Sequence, residues 1–404
     1  MLLDEVFAKF DDDCRNIIPG AKAYRCAQLL KNQMSNFYDK EQDCTEALRL
    51  VLGRMGFPID PGKVGDTEYI TDGHFACTFH PVIIVEVKNE IGTGGADPFF
   101  QATEYYRHFI AYKGLWTFLD ELFPCFIITV TGAKIFFSGA VYTQGVTTES
   151  FGALEVDFHD TNNHNYDMLA RYLTALEIAY QTLKTRYSNA RDPPEVRTLL
   201  GLPLLPETDR KHIEDAFPYP RSFVHAETRE ERKFEYVKAF EEKPFVFKAR
   251  TDNDQLVCIK FVRRYGTKVY KWCVKKGFAP ELLESRVLDG GWIMIVMEFL
   301  GNTWKEFAYE ADKQQQKLHK SIASFVENLG GERMVHGDIR ERNIMVNDTA
   351  GFKLIDFDWA GMEGEVLYPS DINLDPVLGR PLGVGPCEKI LHEHDQYMVG
   401  KLFK

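Results

Sequence analysis

The segment beginning at Pro81 reads PVIIVEVKNEIGTGGADPFFQATEYY, and it opens on an apolar run, VIIVEV. Runs of this kind predict a strand covered on both faces of a sheet. Glu86 and Lys88 stand two apart near its end, and such pairs share one face of a strand. Upstream, EYITDGH alternates and closes on an Asp-Gly turn signal at Asp72-Gly73. A hairpin from it into VIIVEVK would bring Asp72 beside Glu86. Downstream, Gly92, Gly94 and Gly95 predict a turn. A helix is expected from about Asp97-Pro98, with Gln101 and Tyr105 on one face because they lie four apart.

Elsewhere the pattern alternates between helical and strand periods. LLDEVFAKF and AYRCAQLLKNQM carry apolar residues at helical spacing, and Asp11-Asp12-Asp13 is expected to open a helix, where acid suits the macrodipole. CTEALRLVLGRMGF predicts a helix with Thr45 as N-cap and Gly56 as C-cap. A short helix follows at 115–123, then two strands joined around Thr131-Gly132, then a long amphipathic helix over about 165–187. Residues 188–225 are rich in proline and leucine and read as a packed bridge. FEYVKAF, PFVFKAR and QLVCIKFV then predict three further strands. The domains expected are 1–188, a linker over 189–232, and 233–404.

Composition narrows the class. The chain has 404 residues, 45% hydrophobic and 27% charged, as in a soluble globular protein of two or three domains. No apolar run approaches the roughly 20 residues of a membrane span, so no membrane partner is expected. Asp4 and Glu5 stand where a signal peptide would be basic, so no signal peptide is expected. Eight scattered cysteines without zinc spacing read as reduced thiols. The net charge of −12, with 16 Lys/Arg against 25 Asp/Glu in residues 1–190, argues against strong unaided binding to nucleic acid.

Candidate chemistry lies in two places. Two carboxylates, Asp72 and Glu86, with the Val87 carbonyl offer oxygen ligands to a hard cation such as Mg²⁺ or Mn²⁺, and Lys88 offers charge to a phosphoryl transition state. This arrangement resembles the PD-(D/E)xK nuclease superfamily, and Gln101 with Tyr105 looks like the QxxxY element of its exonuclease-like branch. The resemblance implies a further acid from a preceding helix, for which Glu46 is the candidate; a helix-dipole partner is an equal alternative for that residue.

The second place is C-terminal. MVHGDIRERNIMV and FKLIDFDWAG are similar to the catalytic and metal-binding loops of protein-kinase-like folds. On that likeness Asp356 and Asn343 would hold Mg²⁺ on ATP, Asp338 would accept the substrate proton, Lys260 would pair with the phosphates, and Met297-Glu298-Phe299 would form the hinge against adenine. Three features depart from the pattern: no glycine-rich loop lies between Phe234 and Arg250, the helix TKVYKWCVKKG lacks a glutamate for Lys260, and Gly337 replaces the arginine of HRD. HEHDQYM is expected to start a buried helix with Asp395 near its head.

An ExK domain followed by a compact kinase-like domain resembles the C-terminal regions of Crinkler-type effectors. The fold class expected is multidomain α/β and α+β: a restriction-endonuclease-like α/β domain, then a minimal two-lobe protein-kinase-like domain. The resemblance implies a Mg²⁺-dependent DNA nuclease acting in the nucleus or cytoplasm of a host cell, with a protein partner. Its alternatives are an effector protein kinase with a vestigial nuclease domain, or an inert scaffold that binds host protein.

Overall fold

In a computed structural model, the described residues are 2–403 apart from 66, 78–79, 90–96, 112–121, 190–197, 199–216, 309–312 and 350. The expected glycine turn at 92–95, most of the expected 115–123 helix and most of the 188–225 bridge lie outside them. Among the described residues, no helix is long and apolar enough to cross a membrane. The chain divides into two compact units, 1–219 and 220–404.

The first unit is built on a six-stranded sheet: β1 (Asp60–Lys63), β2 (Ile70–Cys77), β3 (His80–Lys88), β4 (Cys125–Thr131), β5 (Lys134–Tyr142) and β6 (Val146–Glu155), in that spatial order. β3 and β4 run parallel, with Glu86 opposite Thr129 and Lys88 opposite Thr131; the other neighbours are antiparallel. Its helices are α1 (Glu5–Asn16), α2 (Ala21–Met34), α3 (Glu41–Met55), α4 (Pro98–Ala111) and α5 (Asn163–Asn189). Ile83, Val85 and Val87 of β3 enter a core shared with α1, α2, α3 and α5. Ile84 enters a second core with Tyr105, Tyr106 and Ile110 of α4. Helices on both faces explain why β3 is apolar at almost every position.

Three local expectations fail for identifiable reasons. The acidic triplet lies in the second half of α1 rather than opening it. Asp4 is the N-cap, accepting from the Val6 amide at 2.9 Å, while Asp11 and Asp13 are buried and pair with Arg15 and Lys9 one turn away. Thr45 is not an N-cap: α3 starts four residues earlier, and the Thr45 hydroxyl donates back to the Glu41 carbonyl at 2.9 Å. Asp72-Gly73 is not a turn but lies within β2. The glycine there is a packing requirement, since a Cβ would sit 2.3 Å from Ile59 Cγ2. β6 was not expected at all; Phe151 is its one buried side chain, so its sequence has almost no apolar alternation.

The second unit opens on a six-stranded antiparallel sheet: β7 (Ser222–Val224), β8 (Glu231–Ala239), β9 (Val246–Thr251), β10 (Leu256–Val262), β11 (Leu282–Val287) and β12 (Ile293–Glu298), ordered β11-β12-β10-β9-β8-β7. Helix α6 (Thr267–Lys275) connects β10 to β11. The remaining elements are β13 (Trp304–Glu306), α7 (Lys313–Gly331), β14 (Met334–Val335), β15 (Ile344–Asn347), β16 (Phe352–Leu354), β17 (Gly361–Met362) and α8 (His392–Lys401). One core runs through both halves: Val262 and Ile295 from the sheet, Val269 and Tyr270 from α6, Ile322 and Phe325 from α7, and Met398 from α8.

Candidate functional site

In the first unit, the β2–β3 pairing sets Gly73 opposite Val85, which brings Asp72 to the strand end that carries Glu86. Asp72 Oδ2 accepts from the Val87 amide at 2.8 Å. Glu86 is buried, and its Oε2 has no hydrogen-bond partner among the described residues. Burial, then the charge of Asp72, pushes the Glu86 carboxyl up to about 8, which Lys88 only partly opposes. Asp72 is also raised, chiefly by burial. Gln101 donates to the Tyr105 hydroxyl at 2.6 Å, and Tyr105 lies within electrostatic reach of Glu86, Asp72 and Lys88.

The acid from the preceding helix is Glu41, not Glu46. Glu46 is exposed and accepts from Gln42. Glu41, at the first position of α3, accepts from Lys88 Nζ at 2.8 Å. Burial works against the Lys88 ammonium, but Glu41 and Glu86 outweigh it and raise its pKa. Among the described residues, no group of three or more His, Cys, Asp and Glu is placed to hold a metal ion. The cluster therefore contributes one buried and one half-buried carboxylate, Glu86 and Asp72, and a lysine already neutralised by Glu41.

In the second unit, Lys260 projects from β10 and donates to two carboxylates, Asp356 at 2.5 Å and Asp358 at 2.6 Å. The missing helix glutamate is thereby accounted for. α6 carries no acid, and Asp358, which stands where the DFG pattern has glycine, takes the lysine instead. Burial disfavours the Lys260 charge, but the two aspartates outweigh it and raise its pKa. Burial pushes Asp358 up to about 7, with Lys260 opposing and the neighbouring Asp356 adding to the rise. Lys260 holds Asp356 below the ordinary range despite burial. Asp356 has φ of +68°, a left-handed conformation that turns its carboxylate toward the lysine.

Asp338 and Asn343 form the floor. Asn343 Nδ2 donates both to the Asp338 carbonyl at 3.0 Å and to its Oδ2 at 2.8 Å, which leaves the amide carbonyl oxygen as the group it can offer a cation. Arg340 pairs with Asp338 Oδ2 at 2.8 Å, and Arg380 reaches Oδ1 at 3.4 Å while lying over the Trp359 ring. The loop is anchored from below by Asp395 of α8, whose buried carboxylate accepts from the His336 amide at 2.7 Å and the Gly337 amide at 2.9 Å. His336 is buried, and that burial lowers its pKa although Asp338 and Asp356 oppose the shift. Its Nε2 lies 3.2 Å from the Ile355 carbonyl and its ring meets Phe357 edge-on. Glu298 ends β12 with its side chain accepting from Lys353 Nζ at 2.8 Å and from the Glu281 amide at 3.2 Å.

Asp356 and Asn343 fit a Mg²⁺–nucleotide complex in chemical type, since both present oxygen and Asp356 is partly exposed. Lys243, which no motif singles out, lies in the turn between β8 and β9. It reaches the catalytic loop and donates to the Arg342 carbonyl at 3.0 Å. No glycine pattern marks this six-residue turn, so its lysine carries no motif.

No protein-family model matches the chain. It is similar to the "Probable cAMP-dependent protein kinase catalytic subunit" of Encephalitozoon cuniculi (strain GB-M1), 27% identical over 118 residues, or 28% of this chain. The matched stretch spans 34% of that relative's length. A chain from the crystal structure of the yeast RNA Pol II CTD kinase CTDK-1 complex aligns over 41% of this chain and 59% of its own length, at 19% identity and a TM-score of 0.30. The chain is thus a mixed α/β protein of two units with kinase-like homology. The expectation of a metal-dependent deoxyribonuclease is overturned: the relative is a protein kinase.

Proposed function

We propose that the chain is an ATP-dependent phosphotransferase acting through residues 220–404. The observation that carries this is the convergence of Lys260, Asp338, Asn343 and Asp356, from three separate segments, with the charges phosphoryl transfer needs. A bound Mg²⁺–ATP would supply the transferable phosphoryl group, held by Asn343 and Asp356. Lys260 orients the phosphates, itself oriented by Asp356 and Asp358. Asp338 accepts the proton of the acceptor hydroxyl, and Asp395 keeps its loop in place. Within this reading the first unit is a vestigial PD-(D/E)xK-like domain, as in an effector kinase of Crinkler type.

A kinase-like scaffold that holds nucleotide without turnover is the second reading. It is favoured by Arg380, whose guanidinium occupies the approach to Asp338. Transfer of labelled phosphate from ATP to a generic protein acceptor separates the two. Transfer lost in both Lys260→Ala and Asp356→Ala supports the phosphotransferase. ATP binding without any transfer supports the scaffold.

A further inference from the structure

The β8–β9 turn, residues 240–245, contains no glycine, and the neighbouring strands contain none either. In protein kinases a glycine-rich loop covers the nucleotide phosphates. Here the turn is instead closed and pinned. Phe240 and Val246 exchange amide–carbonyl contacts with it and with each other at 3.0–3.2 Å, and the Phe261 amide donates to the Phe245 carbonyl at 2.9 Å, next to Lys260. Phe245 packs on Trp292 with ring centroids 5.1 Å apart, and Phe240 stacks on Phe299 at 6.5 Å. The tip therefore has a fixed place over the cleft.

From that tip the half-buried Lys243 crosses to the Arg342 carbonyl, one residue before Asn343. This uses one of three ammonium donors. Among the described residues Lys243 pairs with no carboxylate, although Asp356 and Glu306 lie within electrostatic reach. Burial lowers its pKa more than those acids restore it. A partly desolvated cation with donors to spare, aimed between Lys260 and the Asn343 loop, is suited to an anion of several oxygens.

We propose that Lys243 is a phosphate-binding residue of the nucleotide site, its ammonium taking the β- and γ-phosphates of a nucleoside triphosphate in place of glycine-loop amides. The inference rests on the phosphotransferase reading for its ligand. Its structural rival is a latch, in which Lys243 only ties the turn to the loop through Arg342.

The test is calorimetric titration of the full chain with ATP, ADP and AMP in excess Mg²⁺, comparing wild type, Lys243→Ala and Lys243→Arg. Loss of a charge-assisted contact predicts ATP binding about tenfold to hundredfold weaker in Lys243→Ala, with AMP binding unchanged and ATP binding largely recovered in Lys243→Arg. Equal ATP affinity in wild type and Lys243→Ala overturns the inference and leaves the phosphotransferase reading standing. Weakening of ATP and AMP by the same factor also overturns it, since the residue would then shape the pocket rather than hold the outer phosphates. Absence of ATP binding by the wild type overturns the phosphotransferase reading and this inference with it.

Discussion

Asp395→Ala takes away both acceptors of the His336 and Gly337 amides, at 2.7 and 2.9 Å, in a place where carboxylate and amides are all buried. A buried donor left without an acceptor costs about 1–3 kcal/mol, so the two together predict a loss of about 2–6 kcal/mol. Burial opposes the charge of this carboxyl and pushes it from 3.8 up to about 7, which the two amides only partly offset. An acid whose folded pKa lies above its unfolded one binds more protons when folded. Its contribution is therefore complete below about pH 4 and is lost as pH rises to about 7. At about 1.4 kcal/mol per unit, that loss amounts to roughly 4 kcal/mol. The stability gap between wild type and Asp395→Ala should thus be widest at or below about pH 4 and shrink toward pH 8. Urea unfolding followed by tryptophan fluorescence reads this unit well, because Trp272, Trp292, Trp304 and Trp359 all belong to it. An unchanged midpoint at low pH, or a gap that widens with pH, would refute the reasoning.

Other perturbations probe the same architecture. Gly337 has φ of +82°, and a Cβ there would sit 3.1 Å from both Ile390 Cδ1 and Trp359 Cβ, so Gly337→Ala should lower stability by about 1–2 kcal/mol or more in urea melts. In the first unit, the Glu86 carboxyl is raised from 4.5 to about 8, so its stability contribution falls as pH rises through that range; Glu86→Gln should gain on wild type in calorimetric melts between pH 5 and pH 8.5. A constant offset across that range would contradict the assignment. Asp358→Ala leaves Lys260 with Asp356 alone, and should lower kcat/KM for ATP about tenfold, an order typical of one charged hydrogen bond. Full activity would show that Asp358 does not orient the lysine.

Much of the secondary structure was readable because burial writes itself into periodicity. VIIVEV became β3, covered on both faces, and Asn163–Asn189 became α5 close to its expected bounds. The pattern failed where other forces decided. Thr45 looked like a cap, yet its hydroxyl bonds back within α3, and the five-residue shift in helix start moved the acid facing Lys88 from Glu46 to Glu41. Asp72-Gly73 looked like a turn, yet close packing against Ile59 explains the glycine. In the second unit the positions of Lys260, Asp338, Asn343 and Asp356 could be named from their spacing. Their geometry could not, because it depends on partners that no motif specifies: Asp358 at Lys260, Arg380 at Asp338 and Lys243 above the loop. The nuclease reading erred differently. A D…ExK spacing places side chains near one another but does not establish that they perform chemistry.

The most direct measurement is transfer of labelled γ-phosphate from ATP in Mg²⁺ to a protein acceptor or to the chain itself, comparing wild type with Asp338→Ala and Asp356→Ala. The account predicts transfer by the wild type and a loss of about a hundredfold or more in each variant, in line with removal of a general base or a phosphate-site carboxylate. Transfer that persists undiminished in both variants, or none from a wild type that fails to bind ATP, would contradict it.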